Sequence, residues 1–393
     1  MNDAVIVGYA RTPIGKLLGG LASLSAMDLG GRAIAAALDR SGVAPDQVDQ
    51  VLMGHVVQAG QGQITARQAA LAGGIGMEVP ATTINKVCLS GTSAVALANQ
   101  LIRFGDADVV VAGGMESMTG GPYLLPRART GYRMGDAEIV DATIHDGLWC
   151  ALDHEHMGAA SDRMNDTYGI GRERQDEWAA RSHRRAADAW KNGRFDDEVV
   201  SVEVPQRRGD PVTVAQDEGI RADTTAEGLG RLRPAFSSGG TITAGNASQV
   251  SDGAAALVLA SAAKADELGL EPLARITSYG TVAGPDPSLH HQPAEATRRA
   301  AARVDLDPAG LDVYEINEAF AAVALWSAEL LGVDEEKVNP NGGAVALGHP
   351  IGCSGARLVG TTVLELRRRG GGRGVATLCG GGGQGDAVIV ETL

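Results

Sequence analysis

The two ends of this chain resemble each other, and that constrains its fold more than any single motif does. "APDQVDQVLMGH" (44–55) matches "DPAGLDVYEINE" (307–318): a Pro-led helix start, a short spacer, then a strand. Downstream the order persists, because "CLSGTSAVALANQLIRFGDADVVVAGG" (88–114) parallels "GCSGARLVGTTVLELRRRGGGRGVATLCGG" (352–381). Each of these reads as a Ser-Gly turn, a helix, a Gly-rich corner and a strand ending in Gly-Gly. Matching pairs in one order imply two copies of a single α/β unit. They occupy about 1–120, continued at about 250–269, and 270–393.

Within the first copy, Ala4 to Tyr9 is an apolar, β-branched run, Met27 to Asp39 has helical spacing, and Val48 to Met53 is again strand-like. Such alternation predicts a parallel or mixed sheet covered by helices on both faces. Residues 121–249 have no counterpart in the other copy and hold four of the eight histidines. They read as an insertion resting on the scaffold and free to carry a binding site. A helix predicted across Glu173 to Asn192 has a charged side that reads as a solvated face.

Composition narrows the class of function. The 44% hydrophobic content of 393 residues is ample for a large core, and 54 glycines with only 4% aromatics indicate tight turns and close packing. A net charge of −14 argues against nucleic acid or an anionic membrane as partner, so an anionic substrate would need a few local arginines. Cys88, Cys150, Cys353 and Cys379 form no CxxC pair and no Cys/His zinc spacing, which predicts neither a disulfide framework nor a metal. The N-terminal apolar run is too short for a signal peptide, no run of about 18 apolar residues occurs, and the chain ends in ETL, not a peroxisomal signal. A cytoplasmic location is expected.

Chemistry-bearing residues collect at the ends of strands and helices. Cys88 directly precedes a helix, whose N-terminus favours thiolate over thiol, so it is either a nucleophile or an ordinary buried cysteine. His349, between Gly348 and Pro350, is a base or a turn histidine; Cys379, ending a strand, is a second reactive thiol or core filler; Asn317 is a site amide or a strand cap. "GGGGQG" (380–385) lacks the Lys-Ser/Thr of a P-loop and precedes a strand, which makes it a poor nucleotide site. Ligands of open α/β sheets gather beyond the strand ends, where these four groups meet if the copies pack about a pseudo-twofold. Two thiols, a histidine and an amide beside glycine-exposed backbone N–H groups suit acyl transfer through a thioester.

The ordered motifs resemble those of the thiolase family along essentially the whole chain. They are "RTPIGK" (11–16), "NKVCLSG" (85–91), "VVAGGMESM" (110–118), "DGLW" (146–149), "HMG" (156–158), "LRPAF" (232–236), "TAGNAS" (243–248), "NEAFA" (317–321), "GHPIGCSGAR" (348–357) and "CGGGGQGDA" (379–387). "DGLW", "HMG" and "TAGNAS" are most similar to the short-chain, biosynthetic type. The resemblance implies a duplicated five-layered αβαβα fold, an inserted loop domain that binds coenzyme A, and reversible condensation of two acetyl-CoA molecules by a ping-pong acyl-cysteine route. Broader 3-ketoacyl-CoA thiolysis and non-catalytic acyl or lipid carriage are the alternatives.

It implies that Cys88 accepts the acyl group, that His349 activates it, and that Cys379 moves the Cα proton. Asn317 would hold a water in one oxyanion hole, and the backbone of Cys88 and Gly381 would form the other. Coenzyme A, a substrate rather than a cofactor, would meet Leu148, His156, Met157, Arg221, Phe236, Ala244, Ser248, Ala319 and Phe320. "RTGYRMGDAEIVDATIHDGLW" (129–149) resembles the segment that ties dimers into tetramers, so a homotetramer is expected. Three features depart from the usual pattern: Cys353 in "HPIGCSGAR", Leu89 after Cys88, and "GGPYLLP" (120–126).

Overall fold

The computed structural model describes residues 3–393. Residues 1 and 2 of the first predicted copy lie outside the described residues. In the first half, β1 (Ala4–Arg11), β2 (Gln50–Gly54), β3 (Ala81–Ile84), β4 (Val109–Ser117) and β5 (Ser251–Ser261) form a mixed sheet in the order β1-β5-β4-β2-β3. In the second, β6 (Ala274–Ala283), β7 (Val313–Ile316), β8 (Arg373–Gly380) and β9 (Gln384–Thr392) run in the order β6-β9-β8-β7. The same strands are antiparallel and parallel in each. Even a bulge recurs, between Ile6 and Gly8 in β1 and between Ile276 and Ser278 in β6. A register irregularity repeated at one place is hard to reach except by duplication.

The sheets join edge to edge where Val5 and Ile6 pair with Arg275 and Ala274. Helices α1 (Ala26–Ser41) and α2 (Thr65–Ala72) cover the outer face of the first sheet. Between the sheets lie α3 (Ser90–Phe104) and, from the second half, a 15-residue helix at Ser354–Arg368. Helices at Gln292–Ala302 and Ala321–Leu331 cover the outer face of the second sheet. The result is five layers, αβαβα. The middle helices are hidden from water on both sides, which is why nearly all of Ser354–Leu366 is buried.

The long inserted helix, α4, spans Arg172–Lys191. Glu173, Arg174, Glu177, Arg184, Asp188 and Lys191 make the exposed face predicted for it, but part of its polar surface is partnered. Arg181 bonds Glu335 at 2.7 Å and Arg185 bonds Glu336 at 2.8 Å, while Trp178 Nε1 and Ser182 Oγ donate to the buried Glu318. Charge pattern shows where a helix is polar, not whether the polar groups meet water or partners across a loop. Continuing the helix numbering, Gln292–Ala302 is α5, Ala321–Leu331 is α6 and Ser354–Arg368 is α7.

Candidate active site

Cys88 sits on a tight turn between β3 and α3. Val87, just before it, has φ of +51°, a region that costs a β-branched residue about 1–3 kcal/mol and persists only where neighbours enforce it. The enforcing bonds are present: Asn85 Oδ1 accepts the Val87 N–H, and Ser90 Oγ accepts the Lys86 N–H while donating to the Val87 carbonyl. From the other half, Asp386 accepts from Lys86 Nζ at 2.8 Å and from Ser93 Oγ at 3.0 Å. The thiol is held at the junction of the halves.

Burial dominates and pushes the Cys88 thiol up to about 12, so the residue needs a base. His349 is buried and neutral, its pKa lowered to about 3 by burial and by the nearby Arg357 charge. Its Nδ1 lies 2.6 Å from Ser354 Oγ, and that hydroxyl itself donates to the Pro350 carbonyl. The network therefore assigns the ring proton to Nδ1 and leaves Nε2 as an acceptor, 3.3 Å from Asn317 Nδ2. Asn317 is fully buried at the end of β7, and its Oδ1 has no hydrogen-bond partner among the described residues.

Cys379, at the end of β8, is fully buried, and desolvation raises its pKa, with the Cys88 thiol close enough to raise it further. Gly381 brings the same turn against Val87: a Cβ there would lie 3.4 Å from Val87 Cγ2. Four groups separated by as many as 291 residues thus converge on one corner.

A cavity of about 550 Å³ opens onto that corner, with Cys88 and His349 in its lining. Of the nine residues predicted to meet coenzyme A, Leu148, His156, Met157, Phe236, Ser248, Ala319 and Phe320 line it. Its wall is built by aromatic contact: the His156 and Phe236 rings stack at 4.6 Å, and Phe236 meets Phe320 edge-on at 6.0 Å. Arg221 and Ala244 are not in the lining; both are exposed, and the Arg221 N–H is bonded to His183 Nδ1. Cys353 and Leu89 are buried outside the cavity, Leu89 against Gly380. Among the described residues no cluster of His, Cys, Asp or Glu is arranged to hold a metal, and no helix is long and apolar enough to cross a membrane.

Sequence reading missed two features. Leu17 and Leu18, 49% and 77% exposed, line the cavity as well, and the adjacent apolar pair in "GKLLGG" was the available signal. Glu116, inside "GGMES", has no exposed surface, and nothing in its sequence context distinguishes it from a surface acid.

The profile of the thiolase N-terminal domain matches residues 4–263, and that of the thiolase C-terminal domain matches residues 270–392. The chain belongs to the thiolase family. Among curated thiolase relatives, a probable acetyl-CoA acetyltransferase of Mycolicibacterium smegmatis is 57% identical over 98% of this chain and 100% of its own length. The acetyl-CoA acetyltransferase of Cupriavidus necator is 52% identical, with both chains fully covered. A crystal structure of the Bacillus anthracis acetyl-CoA acetyltransferase has the same thiolase fold, with a TM-score of 0.97 at 44% identity over 100% of this chain and 99% of that one.

Proposed function

We propose that this protein is an acetyl-CoA C-acetyltransferase, condensing two acetyl-CoA molecules to acetoacetyl-CoA and coenzyme A and running the reverse thiolysis. The observation that carries the reading is the presence of Cys88 and His349 in the lining of one largely apolar cavity, with Asn317 bonded to His349 and Cys379 close to Cys88 behind that lining. Full-length relatives named for this activity support it.

The chemistry follows from the protonation states. Cys88 rests as a thiol beside a neutral imidazole, so its proton passes to His349 Nε2 as the sulfur bonds the thioester carbonyl. The backbone N–H groups of Cys88 and Gly381 hold the resulting oxyanion. Collapse expels the coenzyme A thiolate, which takes the Cys379 proton and leaves as the thiol. The Cys379 thiolate then removes a proton from Cα of the second acetyl-CoA. Protonated His349 and a water held by Asn317 stabilise the enolate oxygen as its charge forms, where stabilisation counts towards rate. Attack of the enolate on acetyl-Cys88 releases the Cys88 sulfur, which recovers its proton from His349. All protons are returned, and no prosthetic group takes part.

Arg221, exposed beyond the cavity, and Ala244 would meet the outer part of coenzyme A. We place the enzyme in the cytoplasm as a tetramer. The exposed apolar side chains of Tyr132, Met134, Ile139 and Trp149 give the proposed tetramer segment something to bury.

Acetoacetyl-CoA with coenzyme A should give acetyl-CoA, at a higher kcat/KM than longer or 2-methyl-branched 3-ketoacyl-CoAs. Label from radioactive acetyl-CoA should attach to the wild type and be absent from Cys88→Ala. Retention of label by that variant overturns the reading. Light scattering at a monomer mass rejects the tetramer.

A further inference from the structure

Glu116, next to last in β4, is a fully buried acid for which the scheme above has no role, its pKa raised to about 7 by burial. Its Oε2 accepts the N–H groups of Val56 at 3.1 Å and Gly352 at 3.0 Å, and its Oε1 accepts that of Val57 at 3.1 Å. His55 Nε2 lies 3.3 Å from Oε1, and burial keeps that ring neutral, with a pKa lowered to about 4. One side chain therefore joins the segment after β2 to the His349–Cys353 turn, which comes from the other half of the chain.

The surroundings of that turn approach it closely. The Gly352 carbonyl lies where a Cβ on Gly54 would come within 2.7 Å and one on Gly91 within 3.1 Å, and a Cβ on Gly114 would collide with it. Three glycines of the first half thus form a flat bed for the turn, and Glu116 bonds its amide from beside that bed. On the far side of the same turn, His349 and Ile351 face the cavity.

We propose that Glu116 is a positioning residue, whose carboxyl group spans the two halves and fixes the His349 turn against Cys88. It touches no substrate and acts through the Gly352 amide. The proposal rests on the roles given above to Cys88 and His349. It separates span from accepting power: glutamine keeps the length but only one accepting oxygen, whereas aspartate keeps both oxygens and falls short of one segment.

The experiment compares Glu116→Gln and Glu116→Asp with wild type in steady-state thiolysis of acetoacetyl-CoA, in single-turnover acetylation from acetyl-CoA, and in peptide-level hydrogen exchange over 349–353. Misplacing a catalytic group by about 1 Å lowers rate by about 100-fold, so acetylation by Glu116→Asp should fall by that order. Glu116→Gln should fall less, with KM within about twofold of wild type and faster exchange at the 349–353 peptide in both. Acetylation at the wild-type rate in both variants, a loss expressed in KM alone, or a better Asp than Gln overturns the proposal. If one variant fails to fold, the rate and exchange of the other still decide against wild type. An unlabelled wild type would instead condemn the roles of Cys88 and His349, so the two failures are distinct.

Discussion

Laid over each other by strand register and by their shared Ser-Gly turns, the two halves place Gly352 at the counterpart of Cys88 and Asn85 at that of His349. The same register sets Gly54 against Asn317 and Met115 against Cys379, so the Gly-Gly pairs matched in the sequence, 113–114 inside β4 and 380–381 at the end of β8, are not counterparts. Backbone-holding groups, by contrast, are kept in both halves. Asp49 Oδ2 accepts the Asp108 and Val109 N–H groups at the start of β4, and Asp312 Oδ2 accepts the Arg373 N–H at the start of β8. The duplicated scaffold supplies two equivalent corners, and chemistry has been placed in only one of each pair. The first half contributes the acyl-accepting thiol of our scheme and the second half the other three groups, so neither half is a site by itself.

That asymmetry is tested first at the positions without a functional mate. Cys379→Ala should still take acetyl label on Cys88 while steady-state turnover falls by about 10³-fold, as for loss of a general acid–base group. Equal loss of label and turnover would mean that the two thiols share one task. Asn317→Ala should lower kcat by about 100-fold, the usual effect of removing a group that supports an oxyanion, without unfolding the protein. An unchanged kcat would make Asn317 no more functional than Gly54.

The next test is a pH titration of stability. In the folded protein His349 has its pKa lowered to about 3, against about 6.5 for a free histidine, so the unfolded chain binds the proton first as pH falls. Stability is therefore lost on descending from about pH 6.5 towards 3, by about 2 kcal/mol at pH 5 from this one group. His349→Asn should flatten that acid limb in thermal melts relative to wild type; an identical slope would show that the ring titrates freely when folded. The smallest effects belong where the halves agree. Asp49→Ala and Asp312→Ala should each cost about 1 kcal/mol in melting experiments and leave kcat unchanged. A large kcat loss in only one of them would show that the scaffold is not equivalent.

What could be read from the chain follows the same division. The duplication, the strand ends carrying Cys88, Asn317 and Cys379, and the turn carrying His349 were legible, because each leaves a local signature of glycine, alternation or spacing. The aromatic wall was legible through motif resemblance. Glu116 was not, since its burial depends on amides from two distant segments that local patterning does not join. The solvated face of α4 was legible, but its Arg181 and Arg185 partners were not, for a similar reason: Glu335 and Glu336 come from the second half. The helix-end argument for a reactive Cys88 failed on magnitude, because desolvation outweighs a dipole effect worth about 1 kcal/mol.

The place of β1 in the sheet has a consequence for synthesis. Its two neighbours are β5 and β6, which begin at Ser251 and Ala274. Once synthesised, β1 therefore waits with both edges bare while about 250 further residues are translated, roughly 10–50 s at ordinary elongation rates. An apolar segment unpaired for that long invites pairing with another nascent chain, so yield in an overloaded cell should depend on the speed of translation and on chaperone supply as much as on the stability of the finished enzyme.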